Sequence, residues 1–282
     1  MTTTTNTHTH AAALALGDDA LVLSHRLGQW MGHAPVLEEE VALANIALDL
    51  LGQARILLSM AGDEDELAYL REERAFRNLQ LVEQPNGDFA HTIARQLYFS
   101  TYQHLLYAQL AAREGPFAGL AAKAVKEVAY HRDHAEQWTL RLGDGTELSH
   151  ERMQRACDAL WRFTGEMFRP LHGLDLDGTN LDGTNLDGTN LDGTNLDGTN
   201  LDSTDCDGTA PDEPSPAGTD LDTAWLESVK NVLGGAGLAV PEGPRTGAWS
   251  AGAGREGLHT ESFGPMLAEM QHLHRSHPGA SW

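Results

Sequence analysis

Cysteine is nearly missing from the chain: two in 282 residues. Cys157 lies in a helical pattern and Cys206 in a polar repeat, too few for a disulfide framework and without the company a thiolate metal motif needs. A reducing cytoplasm suits such a chain. Basic residues are scarce as well, 19 Lys and Arg against 41 Asp and Glu. That balance argues against sequence-independent nucleic-acid binding, which needs clustered cations along the phosphates, and equally against an anionic membrane surface. Much of the imbalance is local, because residues 174–222 hold 13 acids and no Lys or Arg; without them the net charge of −22 falls to −9. No uninterrupted apolar run of about 18 residues is present to cross a bilayer. The Thr-rich start, residues 1–10, has no Lys or Arg to open a signal peptide. Nor is there a Gly-x-Gly-x-x-Gly after a strand, a phosphate-binding P-loop, a Gly-x-Ser-x-Gly elbow or a Cys/His pair in catalytic context.

What is present is helix. Hydrophobic residues make up 41% of the chain, enough for a sizeable core. Residues 1–14 read as a disordered tail in which His8 and His10 are incidental. Asp18 and Asp19 then read as caps of a helix ending near Met31, and Pro35 opens a second helix. There Leu37, Val41, Ala44, Leu48 and Leu51 mark one apolar face, and Ile46, Leu50, Leu57 and Leu58 extend it almost all round, which places the helix at the centre of a bundle. The acidic turn at 62–65 opens a charged surface helix to about Asn78. Asp88 caps a long helix to about Arg113, Gly115-Pro116 breaks it, and a further helix runs from Phe117 to Leu142. A Ser149-capped helix follows to about Phe168, then a short helix at Trp225 and a last one from Pro265 to His274. No alternating strand pattern of any length occurs, so the class is all-α.

Residues 174–222 differ in kind. Five Leu-Asp-Gly-Thr-Asn copies fill 176–200 and an acidic Pro/Gly/Ser-rich tract follows. A flexible linker, a partly ordered pentapeptide coil and a weak calcium-binding element are all open readings. The chain thus divides into a tail (1–14), a helical bundle (15–173), the insertion (174–222) and a C-terminal helical part of the same bundle (223–282).

A di-iron carboxylate site in a helical bundle needs a Glu from each of two helices and Glu-x-x-His from each of two others, since i and i+3 share a face. Glu147/His150 straddles a turn, Glu256/His259 lies in a Gly-rich stretch, and Asp88/His91 is explained by capping. Only Glu269/His272 is well inside a helix, where a surface role suits it, so no catalytic, cofactor or metal residue is assigned. Polar residues do interrupt the apolar helices: Asn45, Asp49 and Gln53 on one, Gln96, Ser100 and His104 on the next long one, then Glu127 and His131. These stripes are expected to face each other. Buried carboxylates need partners, and Gln53, Gln96, His131 and Arg55 are the candidates for Asp49 and Glu127. A self-satisfied polar network and an altered metal site of Asp49, Glu127 and His131 both remain open. Tyr98, Tyr102, Tyr107, Trp138, Trp161 and Phe163 read as core and interface aromatics.

Long strings of the chain resemble one family. Arg26-Leu-Gly-Gln-Trp, Gly32-His-Ala-Pro, the run from Ala42 to Arg55, Leu81-Val-Glu-Gln-Pro-Asn-Gly87, Thr92-Ile-Ala-Arg-Gln96, Lys126-Glu127 with Tyr130-His131, Trp161-Arg-Phe-Thr164 and Gly257-Leu-His-Thr-Glu261 are similar to the C subunits of phenylacetyl-CoA 1,2-epoxidase complexes. The resemblance covers residues 14–172 and 221–282. It implies a ferritin-like helical subunit with a structural role, paired with a homologous A subunit that holds the di-iron centre and inserts oxygen. It further implies a small B subunit and a reductase with FAD, an iron-sulfur cluster and NADPH. The Leu-Asp-Gly-Thr-Asn insertion departs from the family pattern.

Overall fold

The computed structural model describes residues 2–171, 174, 220–246 and 253–280. Helix α1 (Thr2–Gly28) and α2 (Leu37–Ala61) form one hairpin; α3 (Phe89–Ala111) and α4 (Ala118–Gly143) form a second. Helix α5 (Glu147–Trp161), α6 (Leu221–Gly235) and α7 (Phe263–Ser276) complete the set, and no strand occurs among the described residues. The all-α expectation therefore holds. Each hairpin is antiparallel: Gly17 meets Leu58 while Ser24 Oγ donates to Ala47 O at 2.8 Å, and Phe89 meets Trp138 edge to face while Arg132 reaches His104.

The core follows from apolar spacing on these helices. Leu43, Ile46, Leu50 and Leu57 of α2, Ile93, Leu97 and Leu106 of α3, and Val128 of α4 are all buried. One end is aromatic: Trp225 lies among Tyr98, Trp161 and Phe168, and its indole N–H donates to Tyr98 O at 2.9 Å. Tyr98, Tyr102, Tyr107 and Trp161 are buried as expected, with Trp138 and Phe163 partly so.

Several boundaries differ from the sequence reading. The tail expected over residues 1–14 is helical from Thr2, and Ala12 and Ala13 are fully buried. An alanine- and leucine-rich run propagates a helix at little cost, and α2 gives it a surface to pack on. Asp18 and Asp19 consequently cap nothing; they sit buried in mid-helix. The charged helix expected to about Asn78 is instead a π-helical turn, Glu66–Leu70, and a 3₁₀ turn, Glu73–Ala75, joined by extended backbone at Arg71 and Glu72. Helix α5 is capped by Thr146, with Ser149 as the reciprocal partner, and stops at Trp161 before a 3₁₀ turn, Gly165–Phe168. Asp88 caps α3 as read, accepting from the His91 N–H at 2.9 Å.

Helix α2 is not at the centre of the molecule. Leu43, Ile46, Leu50 and Leu57 face the core, but Leu37, Val41, Leu48 and Leu51 are solvent-exposed. It alone among the described helices is long and apolar enough to cross a membrane, and half of that stretch is buried in the protein. Cys206 and the Leu-Asp-Gly-Thr-Asn copies lie outside the described residues.

Candidate functional site

Two polar assemblies interrupt the apolar interior. The first spans α2, α3 and α4. Gln53 Nε2 donates to Glu127 Oε2 at 3.0 Å, and Gln103 Nε2 donates to Gln53 Oε1 at 3.0 Å with Tyr107 Oη at 3.3 Å. His131 Nε2 lies 3.0 Å from Asp49 Oδ2, and His134 Nε2 lies 2.8 Å from Glu39 Oε2. The stripes of α2 and α4 therefore meet, and Asp49 and Glu127 take partners from the set expected for them. Arg55 does not join; it pairs with Glu64 at 2.9 Å. On α3, Ser100 Oγ turns back to Gln96 O at 2.6 Å, and Arg132 Nη1 donates to His104 Nδ1 at 3.2 Å. Burial, reinforced by Arg132, depresses His104 to about 4, so it accepts as a neutral imidazole. Asn45 points to solvent.

The arrangement does not gather Asp49, Glu127 and His131 into one ligand set. Asp49 and His131 pair in one place, while Glu127 is held by Gln53 in another. Among the described residues no group of three or more His, Cys, Asp or Glu is placed to hold a metal ion. The Glu-x-x-His pairs also separate. His150 Nδ1 lies 2.8 Å from Gly143 O whereas Glu147 is exposed, and His259 turns inward while Glu256 faces solvent. Glu269 accepts from Gln29 Nε2 at 3.2 Å on the surface, and His272 is exposed.

The second assembly escaped the sequence reading. Asp19 receives Arg255 at 2.6 and 3.0 Å and the Leu79 N–H at 2.7 Å. Asp18 receives Arg71 and the Arg77 N–H. Glu83 and His259 Nδ1 lie 2.7 Å apart with both side chains fully buried, and the Thr260 N–H donates to Glu83 Oε1 at 2.5 Å. Glu166 accepts the N–H groups of Gln80 and Arg255 at 2.9 and 3.1 Å. These four acids tie α1, the 71–88 connection, the turn after α5 and the 253–260 segment together. Burial pushes Asp19 up to about 6 against the pull of Arg255, and raises Asp18 and Glu166 in the same direction. The close fit shows at Gly257, φ +80°, where a Cβ would sit 2.3 Å from Arg74 O. The signal for this assembly was present at Asp18-Asp19, two acids inside a Leu/Ala run, a place where an acid is buried unless the helix starts there.

Chemically, the carboxylates of both assemblies meet guanidinium, imidazole, amide or backbone N–H donors of the chain itself, while Gln103 Oε1 and His134 Nδ1 stay buried without a hydrogen-bond partner. Comparison with known proteins agrees with the residues that carried the resemblance. The chain matches the family of phenylacetic acid catabolic proteins over residues 1–282. It is 44% identical over 278 residues to the C subunit of 1,2-phenylacetyl-CoA epoxidase from Escherichia coli (strain K12), an alignment covering 95% of this chain and 97% of that protein. With its helices arranged as a ferritin-like bundle, the chain belongs to the phenylacetic acid catabolic protein family.

Proposed function

We propose that the chain is a non-catalytic structural subunit of a multicomponent phenylacetyl-CoA 1,2-epoxidase, stabilising the di-iron catalytic A subunit during aerobic phenylacetate degradation in the cytoplasm. A small B subunit joins the assembly, and a reductase with FAD, an iron-sulfur cluster and NADPH supplies electrons. In this reading the iron belongs to the A subunit and no residue of this chain binds it.

The observation that supports the reading is the pairwise commitment of the polar residues between α2 and α4. Gln53, an amide, holds Glu127, and His131 holds Asp49. A bridging iron pair requires several carboxylates and imidazoles converging on shared positions, with their lone pairs free for metal. Here the same groups are hydrogen-bonded to each other in two separate places.

The test is iron content and phenylacetyl-CoA oxygenation for this chain alone and co-purified with the A subunit, reductase present in both assays. Iron-free, inactive protein that raises the yield or thermal stability of the A subunit supports the proposal. About two irons per chain with turnover by the chain alone would move catalysis here.

A further inference from the structure

The C-terminal part of the chain returns to the 71–88 connection through a contact whose hydrogen-bond directions fix where a proton must sit. The side chains of His259 and Glu83 are both fully buried, with Nδ1 and Oε2 2.7 Å apart. Glu83 Oε2 also accepts from Asn78 Nδ2 at 2.9 Å, and Oε1 accepts from the Thr260 N–H at 2.5 Å. N–H donors thus meet both oxygens, the surroundings of an ionised carboxylate. The other ring nitrogen, Nε2, lies 3.3 Å from Phe76 O, a group that can only accept. A neutral imidazole has a single N–H, and away from solvent it would leave one ring lone pair facing an oxygen lone pair. With a proton on each nitrogen, both contacts become hydrogen bonds. The Phe263 ring lies 4.2 Å from the imidazole and tilted 32° to it, a position that favours a cation.

Among the described residues no guanidinium donates to the Glu83 carboxylate. From α1, Arg26 turns to the carbonyl oxygens of Glu83 and Ser262, while Asp18 and Asp19 are taken by Arg71 and Arg255. Arg77 of the connection donates to Arg74 O and Phe76 O, and Arg74 itself is exposed. From α3, Arg95 donates to Gln84 O and Asn86 Oδ1, and Tyr102 faces Arg255. The turn after α5 brings Glu166, which accepts two backbone N–H groups. Glu256, Glu261 and, on α7, Glu269 are exposed. The counter-ion of Glu83 is therefore the imidazole that touches it.

We propose that His259 is a proton-loaded clasp: it docks against Glu83 as an imidazolium, and giving up one proton releases residues 253–263 together with α7. Closing takes that proton from solvent and opening returns it. The clasp governs a whole segment. The same stretch carries Arg255 to Asp19, Phe263 packs edge to face on Phe76, and Gln271 donates to Ala68 O and Arg71 O at 3.0 Å. Opening uncovers the buried side chains of Phe263, Met266 and Leu267. The device does not depend on the epoxidase reading.

The experiment is NMR of the full chain carrying nitrogen-15 histidine, with hydrogen exchange over 253–276 read by mass spectrometry, on the wild type, His259→Gln and the exposed control His272→Gln. At pH 7 the wild type should show an N–H on both ring nitrogens of His259. Raising the pH until the second N–H is lost should remove the protection of 253–276 in step. His259→Gln cannot take up the proton, and that segment should exchange about 100-fold faster or more, the effect of stranding a buried carboxylate. His272→Gln should match the wild type. A single N–H on His259 at pH 7 overturns the proposal. So does protection that outlasts the second proton, or wild-type protection in His259→Gln. Should His259→Gln fail to fold, the two wild-type measurements decide.

Discussion

Loss of Arg255 should be costly, because it holds a buried carboxylate and two segments of the chain together. Its guanidinium donates to both oxygens of Asp19 and to the carbonyls of Ala15 and Arg77, at 2.6 to 3.0 Å. Arg255→Met keeps most of the stem volume and removes every one of those donors. Asp19 is left with the Leu79 N–H alone. Deleting one member of a buried ion pair strands the other in low dielectric and costs about 3–5 kcal/mol. About 4 kcal/mol corresponds to a melting-temperature drop of roughly 8 °C for a chain of this size. The pH dependence sharpens the test. Asp19 already titrates at about 6, above its ordinary value of 3.8, because burial outweighs Arg255. Without Arg255 it titrates higher still. A carboxyl raised in the folded state is stabilising when protonated, and that contribution disappears as pH rises through the folded value. The variant's deficit should therefore be largest at pH 8 and smaller at pH 5.5. Urea titrations of both proteins at the two pH values check this, with Asp19→Asn/Arg255→Met recovering part of the loss at pH 8. A deficit under about 1 kcal/mol at pH 8, or one independent of pH, would refute the assignment of a charged pair at the centre of the network.

Three further outcomes are expected. Gly257→Ala, at φ +80° with a carbonyl 2.3 Å from the new Cβ, should destabilise by about 2 kcal/mol or more in chemical denaturation, whereas Gly119→Ala, in open space on α4, should be neutral or slightly stabilising. His104, depressed to about 4, should show no imidazole titration by NMR between pH 8 and 5.5; because the unfolded chain takes up that proton near pH 6.5, His104 should make stability fall as pH drops from 6.5 towards 4. The Cys157 thiol, buried and pushed up to about 12, should resist iodoacetamide in the native protein and react in about 8 M urea, as mapped by mass spectrometry.

What the sequence disclosed follows local rules. Asp88 as the cap of α3, the break at Gly115-Pro116 and the pairing of Asp49 and Glu127 with α4 and α2 partners all depend on neighbours in sequence or on one helical face. What stayed hidden depends on distant segments. The 66–88 connection is irregular because its N–H groups at Arg77, Leu79 and Gln80 are recruited by Asp18, Asp19 and Glu166, and a helix there would have spent those donors internally. Periodicity likewise gave the apolar girth of α2 without saying which half meets its own chain. A stripe for a partner and a stripe for the core have the same spacing. Gln103 and His134 were missed because each falls one helical step off the stripes that Gln96, Ser100, His104 and Glu127, His131 define.

The four-acid network also bears on how the protein is made. Asp18, Asp19 and Glu83 are synthesised well before Arg255 and His259, with the whole 174–222 insertion between them. At about 5–20 residues per second, Glu83 waits on the order of 10–30 s for its imidazole. The nascent bundle would meanwhile hold carboxyls built for burial and be forced to keep them wet, so the closure waits until the 253–260 segment has been made. Because the entropy of closing a loop rises only logarithmically with its length, that closure is also the step least sensitive to how many Leu-Asp-Gly-Thr-Asn copies have been threaded between its two halves.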